Sequence, residues 1–111
     1  DTLRNHLTHH PDLDIAALNG PQSTVVAGSP QPLEELLSTL EQREIRVRRI
    51  PVDYASHTAH VDGIRAELDA ALANIAPRQG RIAFYSTVTG TRLDGTQLTP
   101  DYWFRNLRHT V

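Results

Sequence analysis

The side chain best suited to moving a proton is His57, in the run Tyr54-Ala55-Ser56-His57-Thr58. A neutral imidazole takes and returns protons near neutral pH. This one falls in a polar junction between a strand-like and a helix-like stretch, where rigid elements on either side can hold a side chain in place. The plainer reading is a histidine that helps cap the following helix. Ser56 is a poor nucleophile for it, because adjacent side chains diverge and serine–histidine pairs normally meet from distant parts of a chain. No Gly-X-Ser-X-Gly elbow occurs in the sequence.

Three other groups have chemistry-bearing residues, and each has a stronger structural reading. His6, His9 and His10 stand at i, i+3 and i+4, a spacing that can hold a metal between two imidazoles, but no carboxylate of matching spacing accompanies them. A solvated helix end fits better, and no metal site is expected. Arg46, Arg48 and Arg49 make a positive edge diluted by Glu41, Glu44 and Asp53, which reads as a charged strand edge that discourages aggregation. Trp103 and Phe104 beside a helix start read as core rather than as a binding platform.

The elements that must position these groups follow from periodicity and punctuation. Leu3 and Leu7 predict the tail of a helix stopped before Pro11. Residues Leu13 to Asn19 and Thr24 to Ala27 predict two strands joined by the Asn19-Gly20-Pro21 turn. Ser29 is placed to cap a helix whose first residue is Pro30 and whose stripe is Leu33, Leu36, Leu37 and Leu40. Ile45 to Val52 predicts a third strand, with a bulge near Arg48-Arg49 where the apolar phase changes. Val61, Ile64, Leu68, Leu72 and Ile75 predict a helix ended by Pro77, and Ile82 to Val88 a buried strand. Asp94-Gly95 predicts a turn, and Thr99-Pro100 the cap and start of a last helix.

The resulting order is α-β-β-α-β, a polar junction, then α-β-α. The first half resembles a ferredoxin-like β-α-β-β-α-β unit without its opening strand. That strand lies in the middle of such a sheet, so it is expected upstream of Asp1.

The 111 residues fit one core, and a net charge of -2 without a basic block gives no electrostatic support for nucleic acid. Apolar runs of four or five residues fall far short of the roughly 20 that cross a bilayer, so no membrane association is expected. There are no cysteines, which excludes disulfides and thiolate metal sites and agrees with a cytoplasmic setting. There is also no methionine, and the chain is expected to be a segment of a longer one.

Five blocks then stand in a telling order: Ala16-Ala17-Leu18-Asn19-Gly20-Pro21, Val25-Val26-Ala27-Gly28, Arg49 through His57, Phe84 through Gly90, and Tyr102 through Arg108. Together they resemble the acyltransferase domain of modular type I polyketide synthases, the malonyl/methylmalonyl-CoA:acyl carrier protein transacylase family. The resemblance implies an α+β fold, with residues 1–52 an incomplete ferredoxin-like small subdomain and residues 53–111 the return into an α/β-hydrolase-like large subdomain. It makes His57 the catalytic base of a ping-pong acyl transfer through a serine that lies outside this chain, so that the chain alone is expected to be inactive. It also assigns the backbone carbonyl of Asn106 to the other ring N–H of His57.

The block Tyr54-Ala55-Ser56-His57 resembles the signature of methylmalonyl-selecting members, which makes Tyr54, Ala55 and Ser56 the specificity residues. Malonyl-selecting members carry His-Ala-Phe-His there. Implied partners are an acyl-CoA, the phosphopantetheine arm of an acyl carrier protein, and the rest of the acyltransferase domain and synthase module, with no bound cofactor. Thr58 stands where the family more often has serine. The competing reading is a non-catalytic ferredoxin-like binding or regulatory module with His57 as a helix cap.

Overall fold

A computed structural model describes residues 2–111, apart from the side chain of Thr2. Helix α1 (Thr2–Leu7) leads into strands β1 (Leu13–Gly20) and β2 (Ser23–Gly28), which pair antiparallel; the turn between them is Pro21-Gln22, Asn19 and Gly20 of the expected turn belonging to β1. The pairing slips between Ile15 and Ala17, so Ala16 drops out of the ladder as a bulge. Gly28 is held at φ +155°, and a Cβ there would collide with the Asp12 carbonyl oxygen, so only glycine lets the chain turn tightly out of β2.

Helix α2 (Pro30–Gln42) buries Leu36 and Leu40 against Leu13, with Leu3, Leu7, Val26, Leu33 and Val47 around them. Its leucine stripe is the cause: residues spaced at three and four fall on one face, and that face covers the hairpin. Ser29 has the extended backbone of an N-cap, but its hydroxyl makes no capping bond and lies instead 3.4 Å from His60 Nε2.

The third strand expected over Ile45 to Val52 is not formed. Only Val47 packs on the core, while Ile45, Ile50 and Val52 are exposed. Local β propensity cannot hold a strand whose N–H and C=O groups have no neighbour to pair with.

After the polar junction, a 3-10 turn (Ala59–Ile64) runs into helix α3 (Arg65–Ala71), which ends earlier than the expected stop at Pro77. The strand expected over Ile82 to Val88 shrinks to β3 (Phe84–Ser86), which pairs antiparallel with an unforeseen β4 (Thr91–Leu93). It is not uniformly buried either, since Ile82 is 88% exposed and Tyr85 72%, while Ser86 is buried. Gly90, at φ +67°, closes that hairpin.

Helix α4 (Pro100–Arg108) starts as expected, with Thr99 Oγ1 accepting the Tyr102 N–H at 3.3 Å. Phe104 and Tyr102 are buried, the latter edge-on to Phe84 and hydrogen-bonded to Ser86 at 2.8 Å. Trp103, expected in the core, is 38% exposed.

Arg65 pairs with Asp69 within α3 at 2.8 Å and ties α3 to α4 through Asp101 at 3.0 Å, with its guanidinium 4.2 Å from the centre of the Phe104 ring. Its hydrogen bond to the Asp69 carboxylate, ahead of that to Asp101, raises its already high pKa further.

The Asp94-Gly95 turn is a capping box. The Asp94 carboxylate accepts the Thr96 N–H at 2.9 Å and the Thr96 hydroxyl at 3.0 Å, and Gln97 Oε1 accepts the Asp94 N–H. The Thr96 N–H, then its hydroxyl, and the charge of Arg92 hold Asp94 below its usual value of 3.8. A depressed folded pKa stabilises the fold fully above the unfolded value and loses that contribution as pH falls through the folded one. The difference in Tm between wild type and Asp94→Asn is therefore expected to be constant near neutral pH and to shrink on acidification. A difference that does not change with pH would remove the charge from this cap.

The radius of gyration is 17.0 Å, against about 13 Å for a compact globule of this length. Among the described residues, no helix is long and apolar enough to cross a membrane.

Candidate active site

His57 sits at the end of the Tyr54–Ser56 run in a backbone conformation that few non-glycine residues adopt, with φ at +61°. Such a residue costs roughly 1–2 kcal/mol and persists only where its surroundings over-determine it. The surroundings do so here. Its N–H donates to the Leu107 carbonyl at 2.8 Å, and Thr58 locks the next residue. Thr58 is fully buried, its hydroxyl donating to the Ala55 carbonyl at 2.7 Å and accepting the His60 N–H at 3.1 Å. The helix-cap role thus belongs to Thr58 rather than to His57.

The ring of His57 is half-buried, and its Nδ1 lies 2.7 Å from a backbone carbonyl. A carbonyl oxygen only accepts, so Nδ1 carries the proton in the neutral ring and Nε2 presents a lone pair. This is the tautomer a general base needs.

The carbonyl belongs to His109, which corrects the assignment of that role to Asn106. Asn106 lies within α4, where carbonyls point along the helix axis. His109 is the C-cap, with φ -79° and ψ 149°, and its extended backbone swings the carbonyl out of that axis toward the ring.

Tyr54, Ala55 and Ser56 lead directly into His57. Tyr54 is 68% exposed, whereas Ala55 and Ser56 are half-buried. The amino-terminal histidines do not converge. His6 Nε2 meets the Arg43 guanidinium at 2.7 Å, His10 Nδ1 lies 3.9 Å from Glu35, and no group of three metal-ligating side chains occurs among the described residues. In the arginine edge, Arg49 is paired with Glu34.

Sequence reasoning missed two contributors. Asp14, on β1, accepts the Ala59 N–H at 2.7 Å with Oδ2, two residues beyond His57. His109 supplies the carbonyl against the ring, and Thr110 and Val111 after it bond to β1. No local pattern marks either, because each acts across a separation of 45 or 52 residues.

The acyl transferase domain family matches residues 1–111. Polyketide synthase GfsA of Streptomyces halstedii is 51% identical over 110 residues, and mycoketide-CoA synthase of Mycobacterium tuberculosis (strain ATCC 25618 / H37Rv) is 52% identical over 112. The match takes in 98% and 100% of this chain but only 2% and 3% of those proteins. Among solved structures, the acyltransferase domain from module 8 of the salinomycin polyketide synthase superposes with a TM-score of 0.89 at 50% identity, over all of this chain and 26% of that one. A loading acyltransferase from the avermectin modular polyketide synthase gives 0.84 at 39% identity, covering 99% of this chain and 35% of its own. The imidazole held in a base-competent tautomer, the full-length family match and these two superpositions agree, and the chain belongs to the acyltransferase domains of polyketide synthases.

Proposed function

We propose that this chain is the part of a polyketide synthase acyltransferase that supplies the general base, His57, to a serine contributed by another part of the same domain. The observation that carries the reading is the Nδ1 hydrogen bond to the His109 carbonyl, which leaves Nε2 free to accept a proton. In the first half-reaction Nε2 takes the serine hydroxyl proton as the oxygen attacks the thioester carbonyl of an acyl-CoA. The tetrahedral intermediate collapses to an acyl-serine ester, and the imidazolium returns its proton to the departing thiolate. In the second half-reaction the phosphopantetheine thiol of an acyl carrier protein gives its proton to Nε2 and attacks the ester. The serine oxygen leaves and regains that proton. The sequence has no nucleophile elbow, so the chain is inactive without the rest of its domain. Free coenzyme A thioesters are cytoplasmic substrates, and a cytoplasmic reaction fits that chemistry.

The extender unit is methylmalonyl. A serine at position 56 would leave, beside the acyl α-carbon, space that a phenylalanine ring would fill, and Tyr54, three residues before His57, is exposed. A methyl-sized difference is worth about 1–3 kcal/mol, so discrimination is real but incomplete. With the complete domain offered equal methylmalonyl-CoA and malonyl-CoA, wild type should trap mainly methylmalonyl on its serine. The pair Tyr54→His and Ser56→Phe should shift the trapped ratio toward malonyl by about 10- to 100-fold. An unchanged ratio, read by mass spectrometry of the acyl-enzyme, would remove these residues from selection.

In this reading residues 1–52 form a ferredoxin-like small subdomain and residues 53–111 belong to the large one. Two observations support it. The β1–β2–α2 order fits that topology, and Ile45 to Val52 has strand composition but no pairing partner, as it would if a central strand from elsewhere in the domain lay between it and β2. The exposed Ile82 and Tyr85 fit a surface covered by the rest of the large subdomain.

A further inference from the structure

The hydrogen bond that fixes the His57 ring joins two segments, and both are fastened to the same strand. Ala59, two residues beyond His57, donates its N–H to Asp14 Oδ2 at 2.7 Å. On the other side, Thr110, next to His109, donates its hydroxyl to the Ile15 carbonyl at 2.8 Å. Val111 N–H donates to the Ala16 carbonyl at 2.9 Å and Leu18 N–H to the Val111 carbonyl at 2.7 Å, the pattern of a parallel bridge. The bulge in β1 makes this possible, because Ala16 has left the ladder with β2 and its carbonyl can face outward. The strand is a firm base, with Leu13 and Ala16 both buried.

We infer that β1 acts as a bracket holding the His57–His109 pair in register, and that Asp14 is a positioning residue for the base. The physical need is specific. His57 sits at φ +61°, from which an unrestrained chain relaxes, and its acceptor follows the end of a helix, where a chain frays. Each end of the bond is fixed to β1 within two residues, so neither can drift from the other. Asp14 touches no reacting atom and acts through the Ala59 N–H alone.

The inference rests on the reading of His57 as the base and is tested in the complete acyltransferase domain. Asp14→Ala should lower kcat for transfer to the carrier protein by about 10- to 100-fold, the scale of a misplacement near 1 Å, with KM for the acyl-CoA held within about threefold. Asp14→Asn keeps an oxygen acceptor for Ala59 and should recover kcat to within about threefold of wild type. Thr110→Val removes one of the bonds on the opposite side and leaves those of Val111, so it should give a smaller loss of kcat of the same kind, about three- to tenfold; it decides the matter if Asp14→Ala does not fold. Wild-type kcat in Asp14→Ala, or in a folded Thr110→Val where Asp14→Ala fails to fold, overturns the bracket. So does an Asp14→Asn variant as poor as the alanine, or a loss confined to KM. His57→Ala run alongside separates the two levels. If it keeps its turnover, the base assignment falls; if it is inactive while Asp14→Ala is normal, only the bracket falls.

Discussion

Replacing His57 by alanine in the complete acyltransferase domain is expected to lower kcat about 10³-fold while leaving acyl-CoA binding within a few-fold of wild type. The effect is large because the ring is the group with a free lone pair held by the chain's own backbone, Nδ1 being committed to the His109 carbonyl. Without it, the serine hydroxyl must lose its proton to solvent in the same step as it attacks. Single-turnover acylation from labelled acyl-CoA and transfer to the carrier protein should slow together, since in the proposed mechanism one imidazole serves both half-reactions. A loss below about tenfold in acylation would take His57 out of proton transfer. A companion variant reports on the backbone: His57→Gly should be equally inactive but more stable than His57→Ala by up to about 1 kcal/mol, because glycine accepts φ +61° without the Cβ penalty.

Thr58→Val should be the most damaging substitution of similar size. The side chain has no exposed surface, and its hydroxyl both donates to the Ala55 carbonyl and accepts the His60 N–H. Valine preserves the shape and removes both hydrogen bonds at once, which costs about 1–3 kcal/mol. Because those bonds close the turn that holds His57, kcat should fall with stability, by about tenfold. Thr58→Ser keeps the hydroxyl and gives up one methyl group, and should stay within about 1.5 kcal/mol of wild type. Denaturant unfolding and acyl-transfer rates on the two variants check this. Equal stability of the valine and serine forms would show that the hydroxyl is not what holds the turn.

Elements whose cause is local were legible from the chain alone. The leucine stripe of α2 and the Thr99-Pro100 start of α4 depend on residues within a turn or two of one another, and they stand where periodicity and capping chemistry put them. The β1–β2 hairpin was likewise legible, with its turn at Pro21-Gln22, one residue later than the Asn19-Gly20-Pro21 signal suggested. Where the cause is a distant partner, the same reasoning went astray. Ile45 to Val52 has the composition of a strand and forms none, because a strand is a property of two segments and no described segment pairs with this one. The exposed Ile82 was misjudged for the same kind of reason, since apolar composition does not say which face is covered.

The candidate site divides along the same line. Residue types and their order were enough to identify the family and to bring forward His57 and the block before it as candidates, because imidazole chemistry and a motif of contiguous residues are written in one dimension. The tertiary structure decided how the imidazole is held: at left-handed φ, with Nδ1 on the carbonyl of His109 rather than Asn106, and with both sides of that bond tied back to a bulged β1 by Asp14, Thr110 and Val111. A backbone carbonyl has no side-chain signature, and a carboxylate capping an N–H 45 residues away leaves no spacing to read, so only the folded chain brings them to the ring.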